Sequence, residues 1–110
     1  MMRMLLGVLR AARAERFVVD SPVTFGSGFA IDMRRIGRGR AKNLSATGVY
    51  FETDKACDIG SKIHFSIELD GPNGKSMLRC SGTIVRSEAL PNRRHGFGVS
   101  IQKQRMEPVL

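Results

Sequence analysis

Residues 62–69 alternate without a break: Ile63, Phe65, Ile67 and Leu69 fall on one side of an extended chain, and Lys62, His64, Ser66 and Glu68 on the other. Successive side chains of a strand point to opposite faces, so this stretch fits a strand with one face buried and one in water. A helix would scatter the same four apolar residues around its axis. His64 is therefore assigned to the outer surface.

A half-buried strand needs partners, and the chain supplies them at short intervals. Gly48 to Thr53 places Val49 and Phe51 on one face, with Tyr50 and Glu52 on the other. Leu78, Cys80, Gly82 and Ile84 keep the same period, as do Phe97, Val99 and Ile101. Val85 breaks the pattern on the opposite face, which implies a bulge or burial on two sides. Phe17 to Phe25 reads as a first strand, with Pro22 marking an edge or a bulge because proline cannot donate to a ladder. Phe29 to Asn43 holds two strand pieces broken near Gly37-Arg38-Gly39. Turn chemistry separates these runs at Gly26-Ser27-Gly28, Asp54 to Ser61, Asp70 to Gly74 and Pro91 to Arg94. About six short strands, each with an inward face, are expected to close into an antiparallel barrel, since closure removes exposed edges. The 110 residues suffice for one domain and not two. The fold class is all-β, with the barrel at 16–103, an N-terminal arm at 1–15 and a tail at 104–110.

The arm carries Leu5, Val8, Leu9 and Ala12 at helical spacing, with Arg3, Arg10 and Arg13 off that stripe. It reads as a short amphipathic helix or a flexible arm. Arg10 and Arg13 follow the apolar run directly, which is poor grammar for a signal peptide. No stretch approaches the roughly 20 apolar residues of a membrane span. Cys57 and Cys80 lack metal-ligand spacing, and Cys80 falls on an apolar strand face. No metal is expected, and reduced thiols without an export signal suggest a cytoplasmic protein.

The formal net charge is +8. A balance that basic fits an anionic partner, namely a nucleotide, a nucleic acid or an acidic membrane surface, or simply a solvated basic exterior. Arg34, Arg35, Arg38, Arg40 and Lys42 form the most basic segment. Arg38, Arg40 and Lys42 share one face of an extended chain, where charge also discourages edge-to-edge pairing. Nucleophile, zinc-protease, phosphate-loop and dinucleotide signatures are all missing, and the acidic residues are scattered, so a binding module is expected rather than an enzyme.

The polar stretch Asn43-Leu44-Ser45-Ala46-Thr47-Gly48 leads into one of the alternating strands. Asn43 and Ser45 point the same way on an extended chain and offer an amide and a hydroxyl. Gly48 permits a positive φ or a close backbone approach. Such a group can grip a flat, hydrogen-bonding ligand, or it can be a β-turn built from the usual turn residues.

Asn43-x-Ser45-x-x-Gly48 followed by an alternating strand resembles the [D/N]-x-S-x-x-G motif of the PilZ domain family. Gly82-Thr83-Ile84-Val85-Arg86 is similar to that family's G-x-V-V-R strand, and His95 to Ile101 to its closing Y-G-V-G-V-x-F strand. Arg16 to Val23 resembles the approach to its first strand, so the similarity spans roughly Arg16 to Gln102. The resemblance implies a small β-barrel that binds the bacterial second messenger cyclic di-GMP. It places Asn43, Ser45 and Gly48 in the site, with Arg16 as the second arginine of an R-x-x-x-R segment. The first arginine position falls on Ala12, and the nearest substitutes are Arg13 and Arg10. Arg34 to Arg38 repeats the R-x-x-x-R spacing, but too close to Asn43 to leave room for a first strand.

Three functions follow. One is a cyclic di-GMP receptor with a degenerate arginine arm. A second is a divergent PilZ domain that has lost the nucleotide and works as a protein-interaction adaptor. A third is a nucleic-acid-binding barrel, which normally interleaves aromatics with its basic patch; here Tyr50 is the only obvious outward aromatic. The receptor reading makes a direct prediction at Ala12. A forked, charge-assisted contact is worth roughly 1.5–3 kcal/mol, so its loss weakens binding about ten- to a hundredfold. Titration of Ala12→Arg with cyclic di-GMP should show affinity rising toward that extent, and no gain would mean the arm takes no part in binding.

Overall fold

The computed structural model describes residues 16–27, 37–72 and 74–108. The predicted arm, with Arg10, Ala12 and Arg13, lies outside these residues, as do Arg34, Arg35 and the first expected strand piece from Phe29 to the break near Gly37.

Six strands form: β1 (Arg16–Ser27), β2 (Gly37–Ser45), β3 (Gly48–Thr53), β4 (Lys62–Gly71), β5 (Gly74–Leu90) and β6 (Arg94–Pro108). They close into an antiparallel barrel in the order β1-β2-β3-β6-β5-β4. The seam is the β1–β4 ladder, from Val23 opposite Ile67 to Ser27 opposite Ile63. Among the described residues the only helical element is a single 3-10 turn at Pro91–Arg93 between β5 and β6. There Asn92 and Arg93 both have φ of 61° and the Arg94 amide donates to the Pro91 carbonyl, the geometry of a mirror-image hairpin turn.

The alternation sorts the barrel into inside and outside. Ile63, Phe65, Ile67 and Leu69 are buried, and Lys62 and His64 are exposed. Leu78, Cys80 and Ile84 join the core from β5, and Phe97 and Val99 from β6. Phe51 sits at the centre, its ring 5.0 Å from that of Phe25 and 5.7 Å from that of Phe97. These distances suit tilted aromatic packing, which adds to the gain from burying the rings. Ile101, expected inside, is only half-buried at the barrel's end.

Two expectations change. The last strand does not stop at residue 103: residues 104–108 pair with β5, with Ser76 opposite Pro108 and Cys80 opposite Gln104. The sequence there lacks inward alternation, so nothing local marks it as strand. Its pairing is supported by charge, with Glu107 taking both Arg79 and Arg105. The first strand is longer than Phe17 to Phe25. Its ladder is irregular between Val18 and Ser21, one turn of pleat before Pro22. Val85 marks a bulge rather than two-sided burial: the register shifts between Ile84 and Arg86, and Val85 is 57% exposed.

Removing the central ring should be costly. Phe51→Ala is expected to destabilise the barrel by about 3–5 kcal/mol, read as a lower midpoint in urea unfolding with an unchanged slope. A change under about 1 kcal/mol would mean that the aromatic cluster is not the centre of the core.

Candidate functional site

The tightest polar geometry lies at the two-residue turn between β2 and β3. Ser45 Oγ accepts the Gly48 amide at 3.0 Å and the Thr47 amide at 3.4 Å, and donates to the Gly48 carbonyl at 3.2 Å. A hydroxyl has one proton and two lone pairs, so this turn uses all three. Gly48 keeps a negative φ, and its role is close approach: a Cβ there would lie 3.2 Å from the Val99 carbonyl oxygen. The turn is tied to β6 from outside. The Ile101 backbone amide donates to the Thr47 carbonyl at 2.8 Å, and Gln104 Nε2 donates to the Ala46 carbonyl at 3.2 Å.

Asn43 behaves differently. It lies opposite Val18 on β1 and Tyr50 on β3, half-buried, just past a register shift between Ala41 and Asn43. Among the described residues its amide has no hydrogen-bond partner. Arg16 is the ladder partner of Ser45 and is exposed. Arg16, Asn43, Ser45 and Gly48 thus meet in one open groove of about 290 Å³. Its floor is β3 and β6, from Gly48 to Tyr50 and from Gly98 to Ser100. Its far wall is the β5 bulge, Val85 and Arg86.

Tyr50, Val85 and Arg86 are among the groove residues outside the motif assignment. Their signals were the single outward aromatic and the break in alternation at Val85. Tyr50 lies across β6, over Gly98 and Gly96, where no side chain stands in its way. A Cβ at Gly96 would overlap the Tyr50 hydroxyl, and Gly98 is the ladder partner of Tyr50. The hydroxyl donates to the Glu88 carboxylate. Burial, and then this bond to an anion, push the phenol up to about 12.

The basic strip of β2 turns away from the groove. Arg40 and Lys42 both bond the Asp20 carboxylate, at 2.6 and 3.0 Å, and Arg40 also reaches the Asp20 carbonyl. The Arg40 hydrogen bond, then that of Lys42, hold Asp20 below its usual range. Exposed pairs of this kind contribute little to stability, and these cations are engaged locally. Among the described residues no group of three or more His, Cys, Asp or Glu is placed to hold a metal. No helix among them is long and apolar enough to cross a membrane.

The sequence model of the PilZ domain matches residues 11–108. The chain belongs to the PilZ domain family. PilZ domains are regulatory binding domains rather than enzymes. The fold is similar to that in the structure of the Bacillus subtilis inhibitor of motility, MotI/DgrA, with a TM-score of 0.67 at 13% identity. That similarity covers 82% of this chain and 42% of the other, so this PilZ domain spans less than half the length of its structural neighbour. No curated protein matches it in sequence.

Tyr50 is the single tyrosine and there is no tryptophan, so phenol ionisation can be followed at one residue. Folded Tyr50 keeps its proton where the unfolded chain, at its ordinary value of 10.0, has lost it. The contribution is therefore intact below pH 10 and disappears as pH rises to about 12. Absorbance titration should give a midpoint well above 10, falling in Glu88→Gln; a normal midpoint would mean that neither burial nor the Tyr50–Glu88 bond holds the phenol.

Proposed function

We propose that this PilZ domain is a receptor for cyclic di-GMP, which occupies the groove between Arg16 and the β5 bulge and acts on a partner protein. The observation that carries this reading is the meeting of Arg16, Asn43 and the Ser45–Gly48 turn in one groove, with the Asn43 side-chain amide without a partner among the described residues. The ligand offers two phosphates and two guanines. A guanidinium suits both, because it forms forked bonds to phosphate or to guanine O6 and N7. An amide matches the edge of a base or ribose. The family's usual ligand supports the same choice.

In this reading the motif residues divide the work. Asn43 and Arg16 contact the ligand. Ser45 and Gly48 hold the turn at the height that presents a backbone edge to it. Arg13 joins from the arm in place of the arginine missing at Ala12. The receptor acts in the cytoplasm and uses neither a metal nor a catalytic step.

Calorimetry with purified protein tests the proposal. Wild type should bind in the micromolar range. Arg16→Ala should remove most binding, and Asn43→Ala should cost about 1–3 kcal/mol. A folded wild-type barrel that binds no cyclic di-GMP would overturn the receptor and leave the protein-interaction adaptor. Binding unchanged in both variants would place the nucleotide elsewhere on the barrel.

A further inference from the structure

The wall of the groove opposite Arg16 is built by a break in the β5 ladder. Ile84 pairs with Val99 and Arg86 with Gly98, so Val85 has no ladder partner. The bulge turns two consecutive side chains outward where a regular strand would turn one. One is an exposed apolar group, Val85, and the next is a planar cation, Arg86. Both line the groove.

Arg86 is held flat by what lies under it. Its ladder partner Gly98 has no side chain, and a Cβ there would lie 3.2 Å from Arg86 Cβ and 3.4 Å from Arg86 Nε. The side chain therefore folds across the glycine, and its guanidinium comes to lie 5.5 Å from the centre of the Tyr50 ring. The ring is itself fixed, its hydroxyl bonded to Glu88 and seated over Gly96. Glu88 is occupied by that hydroxyl, and among the described residues no carboxylate lies within ion-pair distance of Arg86. In contrast, Arg40, Arg79 and Arg105 all have acidic partners.

A guanidinium backed by an aromatic face has its second face open, and a planar cation of that kind stacks on nucleic acid bases. An exposed valine beside it extends the same platform with an apolar surface. We infer that Arg86, supported by Tyr50 and flanked by Val85, is a purine-stacking platform that takes one base of the nucleotide at the end of the groove away from Arg16. This rests on the receptor reading and adds to it a ligand-binding residue outside the motif segments that contact the nucleotide. On the groove side β2, β3 and β6 lie between β1 and β5, so Arg16 and Arg86 line opposite sides of one groove. A two-base ligand is matched by two arginines on opposite sides of that groove. The platform also supplies a guanidinium that does not depend on the arm.

The test uses the full chain with cyclic di-GMP, followed by calorimetry and by the fluorescence of Tyr50, the only tyrosine in a chain without tryptophan. Wild type should bind with a change in that fluorescence, because the base closes over the Arg86–Tyr50 pair. Arg86→Ala should weaken binding about tenfold or more. Arg86→Lys keeps the charge and loses the plane, so it should stay weak. Gly98→Ala keeps the arginine but lifts it from the ring, and should also weaken binding; melting curves for each variant separate this from unfolding. If wild type binds but Arg86→Ala binds equally well, or Arg86→Lys restores full affinity, the stacking platform is wrong while the receptor stands. If wild type does not bind at all, the receptor reading fails and the platform with it.

Discussion

The ladder between β3 and β6 is the contact on which the rest of this barrel depends. It runs from Gly48 opposite Ser100 to Thr53 opposite His95 and joins two hairpins that are distant in the chain. Without it, the six strands would form one open sheet joined at the β1–β4 ladder, with β3 and β6 as exposed edges. With it, and with the β1–β4 seam, no edge is left exposed. The same ladder brings Tyr50 over Gly98 and Gly96, and ties the β2–β3 turn down through the Ile101 amide. The polar groove is thus a product of strand pairing and not of loop geometry.

The period of the strand lets one segment serve both the core and the groove. Val49 and Phe51 are buried, while Tyr50 between them forms the groove floor. Displacing Tyr50 would mean moving Val49 and Phe51 out of the core. The site is accordingly held by elements that packing fixes, which favours a preorganised surface over one that rearranges to bind. Ser45 illustrates the same economy, because its buried hydroxyl satisfies the turn that carries the motif.

Most of the barrel was legible in the sequence, since alternation at Lys62 to Leu69, Leu78 to Ile84 and Phe97 to Ile101 reports directly which side faces the core. Residues 104–108 were not, because their pairing follows from β5 lying alongside and from Glu107 meeting Arg79, neither of which is local. Of the candidate site, Arg16, Asn43, Ser45 and Gly48 do share one groove. The division between Asn43 and Ser45 was not legible. Both are small polar residues at strand spacing, and only the closed turn shows that one hydroxyl is already used. Arg86 was visible as part of a strand motif but not as a groove residue. Its place depends on Gly98 and Tyr50, two residues far from it in the chain and brought together only by the β3–β6 ladder.

A net charge of +8 overstates how strongly the described surface attracts anions at large. Asp20 takes up Arg40 and Lys42, Glu68 takes Lys75, and Glu107 takes Arg79 and Arg105. Exposed pairs like these largely cancel at distances beyond a Debye length of about 8 Å in physiological salt. Arg16 and Arg86 have no such partner among the described residues, and they stand at the two ends of the groove. Glu88, the acidic residue at the groove's edge, is turned to the Tyr50 hydroxyl instead. That arrangement costs the barrel little, since an exposed arginine remains solvated. In the proposed receptor, a dianionic ligand meets these two guanidiniums beside the polar groups that line the groove.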